Sequence, residues 1–310
     1  MTVPLRAALA DYLQMRRALG YRLERPEKLL NQFLDHLEAA GTTTLTSDAA
    51  LEWACLPAGG DLNWWAHRLS VVRVFAKYVR TLDPTTEVPA PDLLPWRCRR
   101  AVPYLYSPAD ITALLDAAET LSTPLRRATL STLIGLLSVT GMRVGEAIAL
   151  DRGDIDLRHG RVVIRHGKFA KSRELVVHES TVEALRRYLR QRDRLLPAPS
   201  SPALLISIAG TRLRYCNVHW TFHRLVRLAG LTPRSAACRP RIHDLRHSFA
   251  VTAMLDAYAA GQDGQARLSL LSTYLGHVDP ANTYWYLSAS PELLAIAAHR
   301  LQVRTEARLP

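Results

Sequence analysis

Cysteine is scarce and scattered in this 310-residue chain: Cys55, Cys98, Cys216 and Cys238 form no Cys-x-x-Cys pair. That spacing matches neither a zinc module nor a disulfide framework, and a reducing compartment fits. Long hydrophobic runs are missing too. The most apolar stretch, Leu130–Val139, is well short of the roughly 20 residues that span a bilayer. Met1–Leu19 is amphipathic and carries Arg6, Arg16 and Arg17, unlike a signal peptide. The chain therefore reads as soluble and cytoplasmic, with no membrane partner. No glycine loop that would cradle a nucleotide, no internal repeat and no low-complexity tract is found. Acidic residues are in deficit, 28 Asp and Glu against 40 Lys and Arg, for a formal net charge of +12. Such an excess favours a polyanionic partner, because cations that neutralise phosphates release condensed counterions. A generic basic enzyme is the other reading of the same charge.

What is present divides in two. At roughly 100–200 residues per domain, 310 residues make two domains, and 48% hydrophobic residues suffice for a core in each. Residues 1–82 read as a helical domain. Leu5, Leu9, Tyr12 and Leu13 share one face at helical spacing, as do Leu30, Phe33, Leu34 and Leu37. Gly20 and Gly41 end these helices, and Ser47 can cap a third. A fourth, Trp64–Arg80, has Trp65, Leu69, Val72, Ala76 and Val79 as its stripe, with His67, Arg68, Arg73, Lys77 and Arg80 opposite. That charged face is either solvated or, in so basic a chain, a contact for phosphates. Residues 83–106 hold Pro84, Pro89, Pro91, Pro95 and Pro103 with Arg97, Arg99 and Arg100. Proline at this density excludes helix and sheet interiors and predicts an extended linker.

The second domain, 107–310, starts at Ser107-Pro108-Ala109-Asp110, an N-cap with a first-turn proline and an acid three residues on. Pro124–Val139 reads as a buried helix closed by Gly141, and another helix covers Arg143–Leu150. Two β-branched strands, Arg161–Arg165 and Glu174–His178, flank Gly167-Lys168-Phe169-Ala170-Lys171-Ser172 as a hairpin with a basic tip. Ser180-x-x-Glu183 predicts the next cap, and Leu204–Ile208 a third strand. The rest reads as helices with breaks at 230–240 and 261–264. The fold class is thus mainly α with a small antiparallel β-sheet in the second domain.

Four short patterns there carry chemistry. In Thr140-Gly141-Met142-Arg143-Val144-Gly145-Glu146, Arg143 sits where one helix ends and another begins. Its guanidinium can join free backbone N–H groups in holding an anion, while a salt bridge to Glu146 or Asp154 is the plainer reading. At the hairpin tip, Lys168 and Lys171 can swing into a neighbouring site or stay solvated. In Arg241-Ile242-His243-Asp244-Leu245-Arg246-His247, His243 and Arg246 lie three apart on one helical face and can touch one group. Chance alone supplies about one such pair in a chain this basic, and His247 reads as packed or solvated. In Leu275-Gly276-His277-Val278-Asp279-Pro280 a turn exposes His277, with Tyr284 and Tyr286 following.

Taken in order, Arg, Lys, His-x-x-Arg, His and Tyr resemble the catalytic set of the tyrosine recombinase (phage integrase) family. The resemblance covers the whole second domain, and the first resembles that family's core-binding domain in size and position. It implies a two-domain DNA clamp, a helical core-binding domain plus an integrase-type catalytic domain. In the family the nucleophile usually follows the last histidine by nine residues, which favours Tyr286 over Tyr284. The same alignment favours Lys168 over Lys171. The stretch Gly261–Ser269 makes the segment before His277 longer than in compact members.

The implied reaction is site-specific DNA cleavage and rejoining through a 3′-phosphotyrosine, with no metal or other cofactor. Arg143 and Arg246 would hold the phosphate's non-bridging oxygens, and His277 would add a hydrogen bond. His243 would take the proton from Tyr286, whose phenol has a free pKa of about 10. Lys168 would protonate the leaving 5′ oxygen. The implied partners are double-stranded DNA with specific recombination sites and further protomers, or a partner recombinase, in a tetramer. Candidate DNA contacts are Arg68, Arg73, Lys77, Arg80, Arg99, Arg100 and Lys171. The apolar helix Pro291–Leu301 would dock on a neighbouring protomer or on its own domain. A mobile element, with integration, excision or transposition, is favoured over a housekeeping role. The rivals are type IB topoisomerase-like relaxation, a DNA-binding accessory partner that does not cleave, and a metal hydrolase using His243, His247 and His277. The last lacks the carboxylate or cysteine spacing of a metal site.

Overall fold

The computed structural model describes residues 4–56, 59–95, 101–165 and 172–276, with single positions 293, 295, 296 and 298. The backbone divides into two compact units, Met1–Arg100 and Ala101–Pro310.

In the first unit, α1 (Leu5–Ala18), α2 (Glu24–Ala39), α3 (Ser47–Cys55) and α4 (Leu62–Leu82) share one core. The apolar stripes become its buried faces: Leu9, Tyr12 and Leu13 of α1, Leu30, Phe33, Leu34 and Leu37 of α2, and Leu69, Val72, Ala76 and Val79 of α4. Trp65 is only half-buried, and Phe75 joins the core instead. Gly20 and Gly41 follow the first two helices with φ of 88° and 67°, the left-handed backbone that ends a helix. The cap of α3 falls one residue before the expected Ser47. Thr46 Oγ1 accepts from the Ala49 amide at 3.2 Å, while the Ser47 amide donates to the Glu87 carboxylate at 2.7 Å.

The described parts of the proline-rich segment hold no helix or strand, as expected, but the chain turns at Pro84–Thr85 and again at Pro91–Asp92, and it is not a free tether. Val88 and Leu94 pack on the first core, and the Glu87 amide donates to Leu45 O at 3.1 Å. Proline removes donors but leaves carbonyls in need of partners. Arg73 supplies them, donating to Pro89 O and Ala90 O, each at 2.8 Å. Beyond residue 100, Tyr104 and Tyr106 are buried in the second unit's core, and the Tyr106 amide donates to Ser248 Oγ at 2.7 Å.

The second unit opens with α5 (Pro108–Glu119), whose Ser107 and Asp110 form the expected reciprocal capping box. α6 (Pro124–Thr140) runs through the core and packs against α5, α8 (Glu179–Leu195) and α10 (Asp244–Ala259). α7 (Val144–Ala149) follows, then β1 (Ile155–Asp156), β2 (Arg161–Ile164) and β3 (Arg173–Val176), an antiparallel sheet in that order. Val162 stands between Ile155 and Leu175 in register. The tip of the β2–β3 hairpin, 166–171, lies outside the described residues. α9 (Tyr215–Leu228) and α11 (Gly264–Leu275) complete the described helices. None of the described helices is long and apolar enough to cross a membrane.

Two sequence expectations are corrected here. Leu204–Ile208 is not a strand, because its apolar run is a plug in the core. Leu204, Leu205 and Ile206 are buried, and single contacts serve their backbone. The Leu204 amide donates to Leu150 O at 2.9 Å, and Thr129 Oγ1 donates to Ile206 O at 3.2 Å. The third strand is Ile155–Asp156 instead. The cap of α8 is His178, whose Nδ1 accepts from the Ser180 amide at 3.2 Å.

Candidate active site

The site is built where α6 stops. Gly141 has φ of 59°, and a Cβ there would collide with the Phe249 ring. Only glycine satisfies both constraints. The sharp exit delivers Arg143 to the N-cap of α7 in extended conformation. Its backbone amide donates to Glu146 Oε2 and its Nη1 to Glu146 Oε1, both at 2.8 Å. The plainer reading of Arg143, a pair with Glu146, is therefore real, and that amide is not open to an external anion. The pairing still orients the other end of the guanidinium, since Nη2 reaches Gly276 O at 3.4 Å. Asp154 pairs with Arg165 instead, at 2.6 Å.

Glu146 has a second arginine. Arg173, at the start of β3, donates from Nη1 to Oε1 at 3.0 Å and from Nη2 to Oε2 at 2.8 Å. Burial by itself would raise the pKa of this carboxyl. The bonds from Arg173 and from the Arg143 amide outweigh it and hold the pKa at about 2. Nothing in the sequence marks Arg173 among 40 basic residues, and sequence reasoning missed it.

His243 and Arg246 span the first turn of α10. His243 is the N-cap residue in αR conformation, and its carbonyl accepts from the Arg246 amide at 3.1 Å. Arg246 is 2% exposed; Nη1 donates to Gly141 O at 2.8 Å and Nη2 to Leu275 O at 2.7 Å. Beside it, the fully buried Asp244 accepts two bonds from Arg241, at 2.9 and 2.8 Å. Burial pushes the Asp244 carboxyl up, and Arg241 opposes that. His247 is buried as expected of a packed residue, with its ring edge-on to His243 at 5.1 Å between centroids. His243 itself is exposed, with its ring packed against that of His247. Desolvation of the ring first, then Arg246, Arg143 and Arg241, pushes its imidazole down to about 4. At neutral pH the ring is uncharged and can accept a proton.

These pieces meet at the C-terminus of α11. Its last carbonyls have no helical partner and carry the negative end of the helix dipole. Three arginines fill that need. Tyr274 O accepts from Arg173 Nε at 2.9 Å, Leu275 O from Arg246, and Gly276 O from Arg143. The helix end thereby gathers Arg143 and Arg246, which stand 103 positions apart in the sequence, into one cationic cluster beside an uncharged imidazole. Gly276, with φ of 70°, turns the chain out of α11. His277, Tyr284, Tyr286, Lys168, Lys171, Arg99 and Arg100 lie outside the described residues. So does most of Pro291–Leu301, although Leu293 is buried with Met254, Leu268 and Leu271.

The candidate DNA face of α4 divides. Arg68 is 8% exposed; its Nη2 donates to Trp53 O at 2.7 Å, and its guanidinium lies 3.8 Å from the Trp53 ring centroid. It is a core contact, and Arg73 is committed to Pro89 O and Ala90 O. Lys77 and Arg80 are exposed.

A mainly helical unit with a small antiparallel sheet and an arginine cluster at one helix end defines the class. The sequence matches the model of the phage integrase family over residues 106–292, and the chain belongs to that family, the tyrosine recombinases. It is 44% identical to a Sinorhizobium fredii protein that carries the name integrase/recombinase y4rB, over 98% of both chains. To the tyrosine recombinase XerD of Pseudomonas aeruginosa it is 31% identical, over 83% of this chain and 81% of that one. In fold it is similar to the Tn1549 transposon integrase solved in complex with a circular intermediate DNA. The TM-score there is 0.65 at 17% identity, covering 96% of this chain and 99% of the other.

Proposed function

We propose that this protein cuts and rejoins DNA at specific sites through a 3′-phosphotyrosine formed by Tyr286. The observation that carries the reading is the convergence of Arg143 and Arg246 on the end of α11 next to an uncharged His243. Two fixed guanidinium groups suit the non-bridging oxygens of one phosphodiester and the charge of its pentacoordinate transition state. His277 follows directly on Gly276 in the sequence, and in this reading it adds a hydrogen bond to the same phosphate. His243 takes the phenolic proton as Tyr286 attacks phosphorus, and Lys168 gives a proton to the departing 5′ oxygen. The phosphotyrosine bond conserves the energy of the broken ester, so a 5′-hydroxyl of a second strand reverses the attack without a nucleotide.

Lys77, Arg80, Arg99, Arg100 and Lys171 are the basic residues proposed to hold the duplex. Four protomers on two paired duplexes, as the family resemblance implies, complete the reaction, and integration, excision or transposition of a mobile element is the setting. The test is a nicked suicide duplex carrying a candidate site, scored for an SDS-resistant adduct. Wild type forms it, Tyr286→Phe does not, and Tyr284→Phe does. Tight DNA binding with no adduct from wild type would instead mark an accessory protein.

A further inference from the structure

Outside the cationic cluster, one pair of potential metal ligands already faces each other. His219 and His223 are one turn apart on the exposed side of α9, and their Nε2 atoms share a hydrogen bond of 3.2 Å, whose proton a bound ion would displace. The rings meet edge to face with centroids at 4.5 Å. Histidines at i and i+4 share a helix face, which is the spacing by which helices chelate transition metals. We propose that His219 and His223 form a surface chelate for a borderline divalent transition-metal ion, of the class of Ni²⁺, Cu²⁺ or Zn²⁺.

The geometry suits such an ion after small rotations of both rings. With metal–nitrogen bonds of about 2.1 Å, nitrogens 3.2 Å apart subtend roughly 100° at the metal, between square and tetrahedral values. Among the described residues no three His, Cys, Asp or Glu side chains converge as ligands. This is therefore a two-nitrogen site whose other positions go to water. Cys216 lies on the same side of α9, but its thiol is engaged with Asn217 Oδ1 at 3.6 Å. A bound ion would staple one turn of α9 and add charge to the face that exposes Trp220. Imidazole nitrogen favours these ions over Mg²⁺, which takes oxygen ligands.

The test uses the full chain without an affinity tag. Ni²⁺ is titrated by calorimetry, and Cu²⁺ is read by the nitrogen couplings in its electron paramagnetic resonance spectrum. One strong site per chain and coupling to two nitrogens are expected, undisturbed by excess Mg²⁺. His219→Gln and His223→Gln should each weaken Ni²⁺ binding by at least the roughly 10–100-fold that loss of a mere supporting group costs a metal site. Both positions are exposed, so the variants keep the wild-type circular dichroism spectrum. His178→Gln, another exposed histidine, binds as wild type. An absent strong site, a site retained in the double variant, or equal loss in His178→Gln would overturn the proposal.

Discussion

Arg173 grips Glu146 through two parallel hydrogen bonds of 3.0 and 2.8 Å, and the same carboxylate holds Arg143. The side chains of Arg173 and Glu146 are 15% and 7% exposed. Breaking one half of so buried a pair costs about 3–5 kcal/mol. Arg173→Gln should therefore lower the urea midpoint and slow single-turnover DNA cleavage more than it weakens DNA binding. Arg173→Lys keeps the charge but not the fork, and it should recover part of the stability and little of the rate. Equal loss of binding and rate would place Arg173 on the DNA instead.

The depressed pKa of Glu146 gives stability a defined pH window. Its folded pKa of about 2 lies below the ordinary 4.5, so the ionised group contributes stability that is fully present above pH 4.5. That contribution fades as pH falls through about 2. The stability gap between wild type and Glu146→Gln, from denaturant curves at pH 7, 5 and 3, should be constant from pH 7 to 5 and smaller at pH 3.

For His243 the expected signature is kinetic. With its imidazole at about 4, the uncharged base persists well below pH 6. Single-turnover cleavage should show no inflection near the free histidine value of about 6.5. An inflection there that disappears in His243→Gln would contradict an uncharged base in the resting site.

Gly141 pays twice for any side chain. Ala at φ of 59° is strained by about 1 kcal/mol or more, and its Cβ would meet the Phe249 ring. Gly141→Ala should destabilise markedly, and adding Phe249→Ala should cost less than that substitution does alone, because it removes the clash. Additive losses would show that the ring already yields.

On α4, stability and DNA binding should separate. Arg68→Ala loses the bond to Trp53 O and the ring contact, and should lower the melting temperature. Lys77→Ala and Arg80→Ala should leave melting unchanged while each lowers the salt slope of DNA binding by about 1.

Much of the scaffold was legible because its cause is local. The stripes of α1, α2 and α4 follow helical spacing, the Ser107–Asp110 box is a matter of four residues, and Gly141 must be left-handed where α6 ends. Of the candidate site, the sequence named Arg143, His243 and Arg246 by residue type and spacing, and these are the members that lie among the described residues. What the pattern could not show is tertiary. Arg68 looks like any charge opposite an apolar stripe until Trp53 of α3 arrives beside it. Leu204–Ile206 reads as a strand because strands and core plugs share an apolar run. Thr46 caps α3 because Glu87, forty positions after Ser47, takes the Ser47 amide. Arg173 acquires its role only when the end of α11 lies beside β3.

Covalent bonding of DNA to Tyr286 is read out most plainly by sequencing the bonded peptide. Wild-type protein is trapped on a nicked suicide duplex, digested with nuclease and trypsin, and fragmented in the mass spectrometer. A nucleotide phosphate is expected on Tyr286, within the peptide that runs from Leu268 to Arg300. A phosphate on Tyr284 would contradict the assignment of the nucleophile, and cleaved DNA with no modified tyrosine would contradict the mechanism itself.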